Sequence, residues 1–341
     1  MTDGGDLAGT FLGLACLTYA DDGPDRWSEA AALVVDHPEL PAADVHVAAA
    51  TGDTEALTGL LRAGPGLADA QRPDGWTPLM CLTYARVRQD DPYGAARLLL
   101  EAGADPDAGV LLGDGVPPFT VLTGCFGEGE QGPGRQPRHP RGEALAELLL
   151  DHGADPNDGQ TLYNRMFCRD DSHLRLLLAH GLGRGDGGPW SRRLGERQDT
   201  PQRMIALQVD WARAHGLTDR LELLAAYGFV EGTPDDAPSP WAARADDPLA
   251  VAAGTPAGVR ALAAAHPPTG DGNVLDARTH GRTLLHHAAW ADDVDLVRAL
   301  LDGGADPQVV DDDHHATALG WAEWAYARRT AALLRPVTRM A

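Results

Sequence analysis

The sequence predicts an all-α solenoid of about nine helix-turn-helix units with long loop insertions, and three observations carry that expectation. The first is a repeated phrase. Leu98-Leu99-Leu100-Glu101-Ala102-Gly103-Ala104-Asp105-Pro106 returns at residues 148–156 and again at 299–307. Stacked leucines run to a glycine, which can take the left-handed conformation that ends a helix, and the chain turns out through Ala-Asp-Pro. The second is a repeated opening: Gly75-Trp76-Thr77-Pro78-Leu79 and Gly281-Arg282-Thr283-Leu284-Leu285. Gly159-Gln160-Thr161 keeps the same frame, and Gly115-Val116-Pro117-Pro118-Phe119 keeps it without the Thr. The third is spacing. Short units at a fixed period cannot bury a core alone and must stack on their neighbours.

The apolar anchor of each first helix is expected at Leu14, Val45, Leu79, Phe119, Tyr163, Leu249, Leu285 and Leu319, mostly 31 to 44 residues apart. The one gap of 86 residues is two units of 43, which places a degenerate unit around 201–231 with its second helix at 221–228. Three residues after each anchor a helix faces inward again. Those positions hold Leu17, Ala48, Leu82, Leu122, Met166, Ala252, Ala288 and Ala322, all apolar. Second helices are expected at 30–35, 56–61, 95–100, 146–150, 174–178, 221–224, 259–262, 296–301 and 331–334. Excess length marks insertions: 127–142, 183–200 and the Pro/Asp-rich 231–247, all read as loops from composition.

Thr77-Pro78-Leu79, Thr283-Leu284-Leu285-His286 and the Leu-Leu-x-x-Gly-Ala-Asp phrase resemble the ankyrin repeat. The likeness is closest over 281–306 and extends, in weaker copies, from about Phe11 to the C-terminus. The resemblance implies residues 1–43 as an N-terminal capping helical pair, 44–230 as repeats carrying two insertions, 231–247 as a linker or break, and 248–341 as C-terminal repeats and cap. It also implies recognition of a protein or peptide through the concave face and fingers of the stack. His286 and His46 take the family's structural histidine position, which ties neighbouring loops by hydrogen bonds.

Composition narrows the function. The net charge is -22, and all 28 basic residues are Arg. That balance repels phosphate backbones and anionic membrane, so no nucleic acid or membrane partner is expected. The N-terminus carries no basic signal-like region, no stretch approaches a membrane span, and the four cysteines lack CxxC pairing. A cytoplasmic address and free thiols follow. Cys16 and Cys81 lie in the identical pentapeptide Cys-Leu-Thr-Tyr-Ala. Stacked helices about 8–10 Å apart would keep sulfurs two units from one another out of bonding range.

Catalytic templates are absent: there is no nucleophile elbow, no Lys-containing phosphate loop and no His-Glu-x-x-His. No cofactor and no metal are expected. Adjacent residues of the Asp311-Asp312-Asp313-His314-His315 finger point in opposite directions and cannot all ligate one ion. The candidate site is aromatic. Five residues after each anchor come Tyr19, Ala50, Tyr84, Gly124, Cys168, Gly254, Trp290 and Trp324, a column facing the groove. Trp321 and His287 come from the neighbouring column. With Asp311, Asp312 and Asp313 as an acidic border, these residues are the expected contact surface for a protein or peptide partner, one of basic character. The same rings could instead fill gaps left by small neighbours such as Ala291 and Ala325. Two other functions stay open. One is a small-molecule site or enzyme built from Tyr84, His287 and Cys81 and closed by the insertions. The other is a scaffold that self-associates through the end of its stack. The Arg clusters at Arg135, Arg138 and Arg141 and from Arg184 to Arg203 could grip an acidic ligand or pair with the chain's own carboxylates.

Overall fold

The computed structural model describes residues 7–113, 115–129, 131–214, 217–230, 255–267, 272–279, 281–312, 314–325 and 327–339. The expected anchor Leu249, its companions Ala252 and Gly254, and the expected break at 231–247 lie outside them. The chain forms two compact units. Unit one comprises residues 1–166 and 172–208, and unit two comprises 167–171 and 209–341.

Unit one stacks the helical pairs Val45–Thr51 with Thr54–Ala63, Pro78–Tyr84 with Pro92–Glu101, Val121–Phe126 with Gly142–Asp151, and Gly159–Met166 with Ser172–Ala179. Unit two repeats the design at Leu284–Trp290 with Val294–Asp302 and Ala318–Trp324 with Arg328–Leu334. The caps follow from side chains. Asp53, Asp91 and Asp293 accept from the amides of Ala56, Gly94 and Leu296 at 2.9–3.0 Å, filling donors that a helix start leaves open. At the other end Gly103, Gly153 and Gly304 take φ of 98°, 97° and 87°. The next amide then reaches back, Ala104 to Leu99 at 3.0 Å, Ala154 to Leu149 at 3.0 Å and Ala305 to Leu300 at 2.9 Å.

The aspartate of the repeated phrase works in two directions. Its carboxylate accepts from the amide two residues on, as Asp155 does from Asn157 at 2.8 Å and Asp306 from Gln308 at 2.9 Å. Its own amide donates to a carboxylate of the preceding repeat, Asp155 to Asp107 and Asp306 to Asp276, both at 2.7 Å. The phrase is therefore a clasp between successive units as well as a helix stop. His46 and His286 are the ties that the resemblance implied. Each donates from Nε2 to a carbonyl oxygen of the next loop, Ala70 at 2.9 Å and Ala316 at 3.0 Å. Nδ1 of His286 accepts from the Thr283 amide at 3.2 Å, which leaves the proton on Nε2, and burial lowers its pKa.

The anchor frame holds at Val45, Leu79, Leu285 and Leu319, all buried, and slips at three places. Leu14 is half-buried near the end of its helix, which buries Phe11, Leu12 and Ala15 instead. Phe119 lies in a two-residue strand before its helix, where it stacks on Tyr19 at 4.7 Å. Tyr163 is 39% exposed while Leu162 is buried, because the helix begins at Gly159 and turns the neighbouring face inward. The insertions at 127–142 and 183–200 are more ordered than their composition suggests: Gly132–Arg135 and Gly188–Leu194 are short helices.

The main departure is the N-terminal pair, Leu7–Ala15 and Pro24–Asp36. The segment after its first helix crosses the C-terminal ends of other first helices. Cys16 bridges Ala85, the Leu17 amide donates to the Tyr84 carbonyl at 2.9 Å, and the Arg86 amide donates to Ala15 at 2.8 Å. The two Cys-Leu-Thr-Tyr-Ala copies thus lie against one another. The expected separation of two stacked units between Cys16 and Cys81 is corrected: the two are neighbours, the Cys16 thiol donating to the Cys81 carbonyl oxygen at 3.6 Å, with no bond between the sulfurs. Among the described residues all four cysteines are free thiols.

Candidate functional site

The aromatic column separates into buried and half-exposed members. In unit one Tyr84 is fully buried, and its hydroxyl donates to the Thr120 carbonyl oxygen at 2.8 Å. Tyr19 covers it edge-on with ring centres 6.3 Å apart, and Trp76 packs on its other side at 4.8 Å. Gly124 permits this, since a Cβ there would stand 2.4 Å from the Tyr84 ring. Burial raises the pKa of both tyrosines well above the ordinary range. Tyr19 has φ of 57°, an uncommon left-handed value for a side chain of this size, and the Asn164 amide donates to its hydroxyl at 3.2 Å. Tyr84 is therefore a core residue, and Tyr19 is the side chain that shuts it in. An open groove at this position is corrected by the N-terminal segment laid over it.

The first insertion closes the same region. Arg138 pairs with Glu128 at 2.9 Å, and buried Arg165 pairs with that carboxylate as well. Arg135 donates to the Asp22 carbonyl at 2.8 Å and pairs with Asp21 at 2.8 Å. In the second insertion Arg192 pairs with Asp186 at 2.8 Å and Arg193 stacks on Trp190 at 4.9 Å. These arginines engage groups of their own chain.

Unit two places the remaining candidates around Trp321. Asp311 is fully buried. It accepts from the amides of His314 at 2.6 Å and Ala316 at 3.0 Å and from the Trp321 indole N–H at 2.9 Å. Asp311 is thus a turn organiser that fixes the indole, and its expected place in an exposed acidic border is corrected: a carboxylate with three internal donors turns inward. Asp312 is exposed and pairs with Arg278. Asp313 lies outside the described residues. Arg282 stacks on the Trp321 ring at 4.8 Å, with His287 and His314 each 6.2 Å from its centre. Trp290 is only 7% exposed and lies under Arg169 at 5.8 Å, so it too is corrected from anchor to core. Trp324 stacks on Phe167 at 4.8 Å and stays partly exposed. Trp321, Trp324 and His287 keep accessible surface, bordered by exposed His314, His315 and Asp312. Among the described residues no group of three or more His, Cys, Asp or Glu is arranged to hold a metal ion, and no helix is long and apolar enough to cross a membrane.

The ankyrin repeat family model matches residues 74–109 and 280–312, the two stretches with the fullest copies of the repeated phrase and opening. Those two stretches are ankyrin repeats. Among solved structures, the human ASB11 ankyrin repeat domain is 18% identical, with a TM-score of 0.35, over 85% of this chain and 96% of that one. An ankyrin repeat protein from Leishmania major is 14% identical, with a TM-score of 0.27, over 86% of this chain and 98% of that one. No curated protein matches the chain. The ankyrin repeat is generally a protein interaction module, so a binding role fits the fold. The column of side chains read as one surface is two different things in these repeats: packing in unit one and, around Trp321, partly open in unit two. Periodicity assigns a face to each residue but does not say what covers that face.

Proposed function

We propose that this ankyrin-repeat chain is a non-catalytic binding protein whose partner contact is the Trp321, Trp324 and His287 face of unit two. The observation that carries the reading is the accessibility of these residues against the burial of their unit-one counterparts, Tyr84 in the column of Trp324 and Cys81 in the column of Trp321 and His287. The Trp321 indole, held by the buried Asp311 carboxylate and the stacked Arg282 guanidinium, and Trp324, stacked on Phe167, are preorganised, and rigid aromatic anchors lose little entropy when a partner binds. The partner is a protein or peptide. The net charge of -22 favours a basic one through faster, salt-sensitive encounter. With Asp311 internal, that preference rests on the field of the whole chain and on Asp312 more than on a three-residue border. The test is replacement of Trp321 and Trp324 by Ala in the full chain. Capture of the partner recovered by the parent chain is lost while the helical circular-dichroism signal is retained. Unchanged capture overturns the reading.

A further inference from the structure

A cleft in unit one opens beside the repeat clasp of Asp155 on Asp107 and includes no residue of the Trp321 face. The second insertion closes over the fingers: the Trp190 indole donates to the Asp107 carbonyl oxygen at 2.9 Å, and the Asn157 side chain bonds the Arg184 carbonyl at 3.0 Å and the Gly183 amide at 2.8 Å. Beneath it is a small chamber of about 20 Å³ with Asp107, Asp155 and Asp158 in its wall. Beside that chamber lies a wider cleft of about 170 Å³, walled by Val116, Pro117, Leu162, Tyr163, Met204 and Leu207. Gly159 and Gln198 line both spaces, so Gln198 stands at their boundary.

Two features point to the chemistry of an occupant. Gln198 and Gln208 both line the wider cleft, are 8% and 2% exposed, and have amide oxygens buried without a hydrogen-bond partner. Gln208 donates through Nε2 to the Leu162 carbonyl at 3.2 Å, which fixes its orientation and makes the unpaired atom a true acceptor. An unmet buried acceptor costs about 1–3 kcal/mol, and a donor brought into the cleft would remove that cost at both side chains. The second feature is charge. The chamber wall holds three carboxylates and no cationic side chain. Burial and its acidic neighbours push Asp107 up to about 6, and burial raises Asp158. Arg197 and Asp199 on the wider cleft carry one charge of each sign. The site therefore offers acceptors, negative field and an apolar trough, and it opposes any ligand that brings a carboxylate or phosphate.

We propose that unit one binds a primary ammonium group carried on an apolar stem, the head between the Gln198 and Gln208 carbonyls with the Asp107 cluster behind it, the stem along Leu162, Met204 and Leu207. A free alkylamine and a lysine side chain share that chemistry. The site is independent of the Trp321 face, and either can fail without the other.

The experiment is calorimetric titration of the full chain at pH 8, where Asp107 is ionised and an amine remains protonated. The probes are hexylamine, hexan-1-ol, hexanoate and N-acetyl-lysine methylamide. Hexylamine saturates at one site, hexanol binds at least tenfold more weakly, and hexanoate does not bind. Asp107→Asn, which removes charge, and Leu207→Trp, which fills the trough, each weaken hexylamine tenfold or more, so the test survives if one variant misfolds. Binding of the lysine derivative as well as hexylamine assigns the site to lysine side chains, and binding of hexylamine alone assigns it to a free amine. Non-saturable binding, equal binding of hexanol, or unchanged binding in a folded variant overturns the proposal, since loose association with an acidic surface ignores both substitutions.

Discussion

Tyr84 separates a covered face from an open groove, and its replacement has a calculable cost. Its ring is fully buried between Tyr19 and Trp76, and its hydroxyl donates to the Thr120 carbonyl at 2.8 Å. Tyr84→Phe removes one neutral buried hydrogen bond, worth about 1 kcal/mol. Tyr84→Ala also empties the space of a buried ring, at about 3–5 kcal/mol for a large core aromatic. The two edge contacts contribute part of that, at about 0.5–1.5 kcal/mol each. The change at Tyr84 is local to one helix, whereas a melting curve averages over both units. Native-state hydrogen exchange of the amides in Pro78–Tyr84 reads the local free energy instead. Tyr84→Ala should speed exchange there by at least a hundredfold, and Tyr84→Phe by roughly fivefold, since 1.4 kcal/mol is about tenfold. Acceleration by Tyr84→Ala of less than about fivefold would refute the burial argument and return the ring to an open groove.

One pH-dependent contribution comes from His139, which donates from Nε2 to the Gln89 side-chain oxygen Oε1 at 2.5 Å and accepts the Arg141 amide on Nδ1 at 3.1 Å. Both ring nitrogens are committed in the neutral form, and burial lowers its pKa from 6.5 to about 3. Between those values the unfolded chain holds a proton on this residue that the folded chain does not, so its contribution to stability rises with pH across that window at up to about 1.4 kcal/mol per unit, opposed below pH 6 by Asp107, which keeps its proton longer when folded. The stability that His139→Gln gains relative to the parent chain should therefore grow from pH 7 to pH 4 in urea titrations; an equal slope in the two places the titration elsewhere. Asp311→Ala strips three donors of their buried acceptor and should lower the stability of unit two by about 3 kcal/mol. A loss under about 1 kcal/mol by urea titration would show the finger turn holding without it.

Much of the repeat logic was legible in the residues. The second helices fall where the leucine phrases put them, because a helix stop, an Asx turn and an N-cap are local and each leaves a residue signature. His46 and His286 were readable for the same reason, since each reaches only into the neighbouring loop. The candidate site was legible only in part. Tyr84 and Trp290 share the column of Trp324, yet Tyr19 and Arg169 cover them from segments distant along the chain, and no periodicity encodes that. The matching Cys-Leu-Thr-Tyr-Ala copies were visible, but equal sequence suggested equal positions in two units rather than two strands of chain laid against one another. Gln198, Gln208 and Asp107 carried no signal of their own. The length of the 183–200 insertion was the one clue, and it marked the place without naming the chemistry.

The central claim is that the Trp321 face of unit two, and not the covered column of unit one, meets the partner. Hydrogen exchange of the full chain with and without its captured partner tests it most directly. The account predicts new protection over Leu284–Trp290 and Ala318–Trp324, with no change over Pro78–Tyr84. Protection confined to Pro78–Tyr84 and Val121–Phe126, with unit two unaffected, would contradict it.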